Sequence, residues 1–196
     1  MPLSTPSAKL HNWIFLATPI ILIGFCVKLY RPDKRLSLLV NEYGSEVDGS
    51  KFIATKHSPN VHYRDEGRGG SLETTILLIH GTSSSLHTWE EGWKSELVKA
   101  GYRVITVDMC GFGLTGPNYS GSYTIPDLTD FLIDFMDVLK VDRFHVAGNS
   151  LGGNVAWDLQ VSHPKRIKSL ILVDSAGYKP NPKSVPLGFK LALTPV

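Results

Sequence analysis

The sequence predicts an α/β protein, a mostly parallel sheet flanked by helices and preceded by a single transmembrane helix. Three observations lead there. Short apolar runs alternate with helical repeats from residue 51 onward. One run, Thr75–His80, is apolar almost throughout, as suits a strand covered on both faces. Between Lys9 and Lys28 there are 18 residues without Asp, Glu, Lys or Arg.

Residues 1–9 form an N-terminal tail and 10–30 the expected membrane anchor. At about 1.5 Å per residue, such a helix comes close to the roughly 30 Å of a bilayer core. Trp13 and Tyr30 lie near its two ends, where amphipathic rings suit the headgroups. Pro19, which would break a soluble helix, is tolerated in a membrane-spanning one. A cleaved leader fits less well, because only Lys9 precedes the apolar stretch and no small-x-small site precedes the bases after it. Those bases are Lys28, Arg31, Lys34 and Arg35, and their position directs the C-terminal body to the cytoplasm. Residues 31–50 are polar, contain Gly and Pro, and read as a linker.

The body begins with two strands, Lys51–Lys56 and Asn60–Arg64, around a turn at Ser58-Pro59. The buried strand Thr75–His80 follows, then a helix over Leu86–Ala100 and a strand over Tyr102–Met109. Leu128, Phe131, Leu132, Phe135, Met136 and Leu139 recur at three and four, which predicts an amphipathic helix. Thr124 and Asp127 occupy capping-box positions at its start, with Pro126 in the first turn. A strand over Arg143–Gly148, a helix over Leu151–His163 and a strand over Ser169–Val173 complete the pattern. Strand and helix alternating in this way imply parallel pairing.

Composition narrows the function classes. With 42% hydrophobic residues and two cysteines in 196, the chain is neither disordered nor a disulfide scaffold. The net charge of +2 is unevenly placed. Residues 1–35 hold five bases against Asp33, a sum of +4, which leaves −2 for the remainder. A mildly acidic body gives no electrostatic reason to bind nucleic acid.

The chemistry centres on Gly148-Asn149-Ser150-Leu151-Gly152, followed by Gly153, between a predicted strand and a predicted helix. This is the setting of a nucleophile elbow, a turn so sharp that the neighbours of the serine must be small. The elbow presents the Ser150 hydroxyl at the open end of the sheet, with the Leu151 amide beside it at a helix N-terminus. Seventy residues earlier, His80-Gly81-Thr82 directly follows the buried strand, and its backbone is placed to give a second amide to an oxyanion. His80 itself reads as a residue that organises the loop. Gly111-Phe-Gly113-Leu-Thr-Gly116 has dinucleotide-fingerprint spacing, but Pro117, Asn118, Ser120 and Gly121 follow where a helix would have to begin. No cofactor and no metal is expected, and Asp108 reads as a loop-stabilising residue.

The three elements Leu-Leu-Ile-His-Gly-Thr, Asp-Met-Cys-Gly-Phe-Gly-Leu-Thr and Ala-Gly-Asn-Ser-Leu-Gly-Gly resemble, in order and spacing, those of the α/β-hydrolase superfamily. The likeness is to its group of carboxylesterases, carbon–carbon bond hydrolases and cofactor-free haloperoxidases, and it covers the chain from about residue 51 onward. The resemblance implies Ser150 as nucleophile, the Thr82 and Leu151 amides as oxyanion hole, and His80, Gly81, Gly148 and Gly152 as elbow and loop support. Relatives that open epoxides or carbon–halogen bonds carry Asp at the elbow, so serine disfavours both reactions. It also implies the chain order serine, acid, histidine. Asp174 is a candidate acid. His163 ends the helix after the elbow and is rejected as the base, so the place of the catalytic histidine is unfilled.

Residues 51–177 therefore read as a partial hydrolase core that lacks its C-terminal strands, and 178–196 as the start of a cap. The expected protein is a membrane-anchored serine hydrolase acting on an apolar carboxylic ester or related acyl compound. Its partners are that small molecule and, through residues 10–30, the bilayer. The 196-residue form is expected to be inactive for want of a histidine after Ser150. Alternatives are a non-catalytic receptor or scaffold of the same fold and an inactive truncated fragment.

Overall fold

A computed structural model describes residues 49–67 and 74–178. The expected tail, membrane anchor, most of the linker and nearly all of the cap region lie outside the described residues. Among the described residues no helix is long and apolar enough to cross a membrane.

Among the described residues six strands form one sheet: β1 (Lys51–Ile53), β2 (Val61–Glu66), β3 (Thr75–Ile79), β4 (Arg103–Val107), β5 (Phe144–Asn149) and β6 (Ile167–Val173), in the order β1-β2-β4-β3-β5-β6. The first two are antiparallel to each other, and β2 is antiparallel to β4. From β4 across to β6 all pairing is parallel. The reading of a mostly parallel sheet flanked by helices thus holds for the described residues.

The apolar run of β3 feeds two cores at once, because successive side chains point to opposite faces. Leu77 and Ile79 join Ile105, Val107, Val146, Phe131, Phe135 and Val155 on one face. Ile76 and Leu78 join Trp89, Val104 and Ala147 on the other. Helix α2 (Ile125–Val138) and helix α3 (Leu151–Ser162) supply the first layer. The start of α2 is the capping box expected: Thr124 accepts from the Asp127 amide, and Asp127 accepts from the Thr124 amide at 2.9 Å.

The expected single helix over Leu86–Ala100 is corrected. The segment is a 3₁₀ turn (Leu86–Trp89), a π turn (Glu90–Lys94) and a short α-helix α1 (Ser95–Lys99). Gly92, at φ +87°, departs from helical geometry in the middle of it, and Gly101 ends it at φ +91°. The irregular segment still buries Leu86 and Trp89. Lys94 ties it to β2 through Glu66 and to its own Glu90.

Candidate active site

Ser150 lies between the last residue of β5 and the first of α3, with φ +52° and ψ −114°. A non-glycine residue in that region is strained by about 1–3 kcal/mol and persists only where its surroundings fix it. Here they do. The Ser150 amide donates to the Val173 carbonyl at 3.1 Å, and its carbonyl accepts from Gly153 at 3.0 Å and from Ala176 at 2.9 Å. The Asn149 side-chain amide donates to the same Val173 carbonyl at 3.2 Å.

The small neighbours are sterically required. A Cβ at Gly148 would lie 2.1 Å from the Gly152 carbonyl oxygen, and one at Gly152 would lie 2.4 Å from the Ile79 and His80 carbonyl oxygens. Both contacts are with backbone, which cannot swing aside. The first turn of α3 is thereby seated directly on the end of β3.

That seating brings the loop after β3 to the elbow. A Cβ placed on Gly81 would be 3.2 Å from the Ser150 Cβ and 3.0 Å from Asn149 Oδ1. Thr82 follows Gly81 directly and is exposed. Leu151 opens that turn, whose first amides have no partner within the helix.

His80 is fully buried. The Met109 amide donates to its Nε2 at 3.1 Å, so Nδ1 carries the proton and donates to the Gly81 carbonyl at 2.8 Å. Burial lowers its pKa, against the opposing pull of the Gly81 carbonyl and Asp108. A neutral imidazole with both nitrogens engaged holds the loop and has no lone pair left for a substrate proton.

Asp108 is the second organiser. It is buried, and it accepts from the Leu86 amide at 2.7 Å, the Leu114 amide at 2.8 Å and His62 Nδ1 at 2.8 Å. Burial raises its pKa, but these donors outweigh it and hold the carboxyl below the usual carboxylate range. His62 was not visible as a candidate from the sequence, since its partners are 46 and 12 residues away along the chain. Only the register of β2 against β1 and β4 brings them together.

Asp174 follows β6, exposed, with φ +44°. It borders the elbow through the preceding Val173 carbonyl. Among the described residues no histidine is hydrogen-bonded to Ser150 or Asp174, and His163 lies at the far end of α3, 3.8 Å from Asp130. Gly111–Gly116 is turn and loop, and the next helix after Gly116 begins only at Ile125. Cys110 is no rival nucleophile, because burial pushes its thiol up to about 12.

A strained serine between strand and glycine-flanked helix, at the end of a parallel sheet and beside the loop of the neighbouring strand, defines an α/β-hydrolase. The chain belongs to that family: residues 74–191 match the family model described as alpha/beta hydrolase fold. It is similar to a 2-hydroxymuconate semialdehyde hydrolase of Pseudomonas sp. (strain CF600), 33% identical over 132 residues, which are 66% of this chain and 44% of that protein. A 2-hydroxy-6-oxononadienedioate/2-hydroxy-6-oxononatrienedioate hydrolase of Paraburkholderia xenovorans (strain LB400) is 30% identical over 134 residues, 66% of this chain and 45% of that one. Among solved structures, a bacterial membrane phospholipase A superposes with a TM-score of 0.60 at 28% identity, covering 86% of this chain and 54% of the other. The chain thus spans less than half the length of these two curated relatives.

Proposed function

We propose that this chain belongs to a serine hydrolase whose nucleophile is Ser150, acting on a carboxylic ester or related acyl compound. The observation that carries the reading is the backbone of Ser150, held at φ +52° between β5 and α3 with Gly81 against it. Strain of this kind needs a reason, and exposing a hydroxyl beside two backbone amides supplies one.

In the proposed reaction the Ser150 Oγ attacks the acyl carbon, and its proton passes to a base. The Leu151 and Thr82 amides take the developing oxyanion, and removing one such donor typically costs about 100- to 1,000-fold in kcat. Water then releases the acid from the acyl-enzyme, with no metal or cofactor in the cycle. His80 positions the Thr82 loop. Asp174 is the proposed acid, and the family's chain order puts the base after it. The hydrolase names of the two curated relatives support the reaction type.

The anchor over residues 10–30, with the body on the cytoplasmic side, belongs to the same proposal. Its support is the uncharged stretch and the basic cluster after it. An apolar acyl substrate reached from the bilayer follows from it, and the likeness to a membrane phospholipase A points the same way.

The test is labelling by a fluorophosphonate probe in the full-length natural protein, mapped by peptide. Label at Ser150 that is lost in S150A is the expected result. A folded full-length protein that leaves Ser150 unlabelled refutes it. Carbonate extraction and protease protection of membrane vesicles test the anchor and its orientation.

A further inference from the structure

Ser50, His62 and Asp108 make a second hydroxyl–imidazole–carboxylate chain that shares no residue with the elbow. His62 Nδ1 is 2.8 Å from Asp108 Oδ2, and His62 Nε2 is 3.0 Å from Ser50 Oγ. Three adjacent segments of the sheet build it. Ser50 directly precedes β1, His62 is in β2, and Asp108 directly follows β4. Phe52 pairs with His62 in register and Tyr63 with Val107, so all three residues meet at one end of the sheet.

The proton inventory is determined by the outermost partner. Asp108 takes hydrogen bonds from two backbone amides, Leu86 at 2.7 Å and Leu114 at 2.8 Å, which favours the ionised, acceptor-only form. His62 therefore presents Nδ1–H to Asp108, and in the neutral imidazole its Nε2 carries the lone pair. In that neutral form the Ser50 hydroxyl, 3.0 Å away, is the donor to the lone pair. The ring cannot turn away, since Phe52 stacks on it at 4.9 Å with an interplanar angle of 25°. His62 is 1% exposed, whereas Ser50 is half-buried, so the chain of hydrogen bonds meets solvent at its serine end. A hydroxyl on a correctly tautomerised imidazole that is oriented by a carboxylate is the arrangement that activates a serine.

We propose that Ser50 is an acyl-accepting site, a serine activated by His62 that takes a short acyl group from a small activated acyl donor. Ser50 Oγ attacks the donor carbonyl while its proton moves to His62 Nε2. The bond from the acyl carbon to the leaving group breaks, and the leaving group takes that proton from the imidazolium. The product is O-acyl-Ser50 with His62 neutral again. Asp108 acts through His62 and is a positioning residue.

The experiment uses the full chain carrying S150A, so that the elbow hydroxyl is removed and the two sites are read separately. The probe is p-nitrophenyl acetate, and acetylation is followed by intact mass and peptide mapping. Ser50 is expected to acetylate about 100-fold faster than the exposed Ser84, the low end of what a positioned base contributes. The advantage is expected to vanish in H62Q and in urea-unfolded protein. The urea arm keeps the test decisive if H62Q does not fold. A folded S150A protein in which Ser50 reacts no faster than Ser84 overturns the proposal, as does a Ser50 rate that H62Q or unfolding leaves unchanged. Either result leaves the three residues as a structural strut.

Discussion

Replacing Gly148 by alanine tests the packing that creates the elbow. The new Cβ would lie 2.1 Å from the Gly152 carbonyl oxygen, 2.4 Å from its carbon and 2.7 Å from the Gly153 nitrogen. Real Cβ contacts do not fall below 3.0 Å, so the shortfall against the oxygen is 3.0 − 2.1 = 0.9 Å. No rotamer absorbs it, because every atom involved is backbone in the first turn of α3. Nor can that turn yield freely, being held to Ser150 by its own hydrogen bonds. Overpacking a tight interior costs typically about 1–3 kcal/mol, and a backbone clash belongs at the upper end. For a domain of this size about 3 kcal/mol corresponds to a fall of roughly 6–12 °C in Tm. Thermal unfolding followed by far-UV circular dichroism measures it, with urea unfolding as a check that the m-value is unchanged. A Gly148→Ala protein melting within about 2 °C of the parent would show that β5 and α3 are not seated as described.

Phe135→Ala should cost about 3–5 kcal/mol, because Phe135 is fully buried and packs edge-on against Tyr63; urea denaturation measures it. Thr124→Ala removes one half of the capping box of α2 and should cost about 0.5–2 kcal/mol in the same assay. Acidification should destabilise the protein in two stages. His80 has a lowered pKa when folded, so below about pH 6.5 the unfolded chain binds a proton that the folded one does not, and stability falls toward the lowered folded value. Asp108 also has a lowered pKa, so its contribution is present above the unfolded value of about 3.9 and is lost as pH falls through the folded value. Urea midpoints across pH 7 to 3 check both, and a His80→Gln protein whose upper acid slope equals the parent's would refute the first assignment.

How much of this was legible in the sequence depended on the range of the interactions. The strand Thr75–Ile79 was readable because its apolar run carries a two-faced burial pattern in five consecutive residues. Helix α2 was readable because its cap, its proline and its stripe lie within one short segment. The strand–turn–helix setting of Ser150 is equally local. The segment after the Thr82 loop misled because Leu86–Ala100 has helical composition, and only the left-handed Gly92 betrays the break. The links between loops stayed hidden. Nothing near His62 announces that it will meet Asp108, nor that Met109 will cap the ring of His80, because strand order alone creates those neighbours.

The backbone of Ser150 has a consequence for any attempt to improve this protein by selection. Glycine adopts φ +52° without the steric penalty that serine bears there, about 1–3 kcal/mol against an entropic loss of roughly 0.5–1 kcal/mol. A library sorted only for heat resistance should therefore drift toward glycine at position 150. Under the role proposed for Ser150, robustness and reactivity pull that single position in opposite directions, and a screen blind to chemistry discards the hydroxyl first.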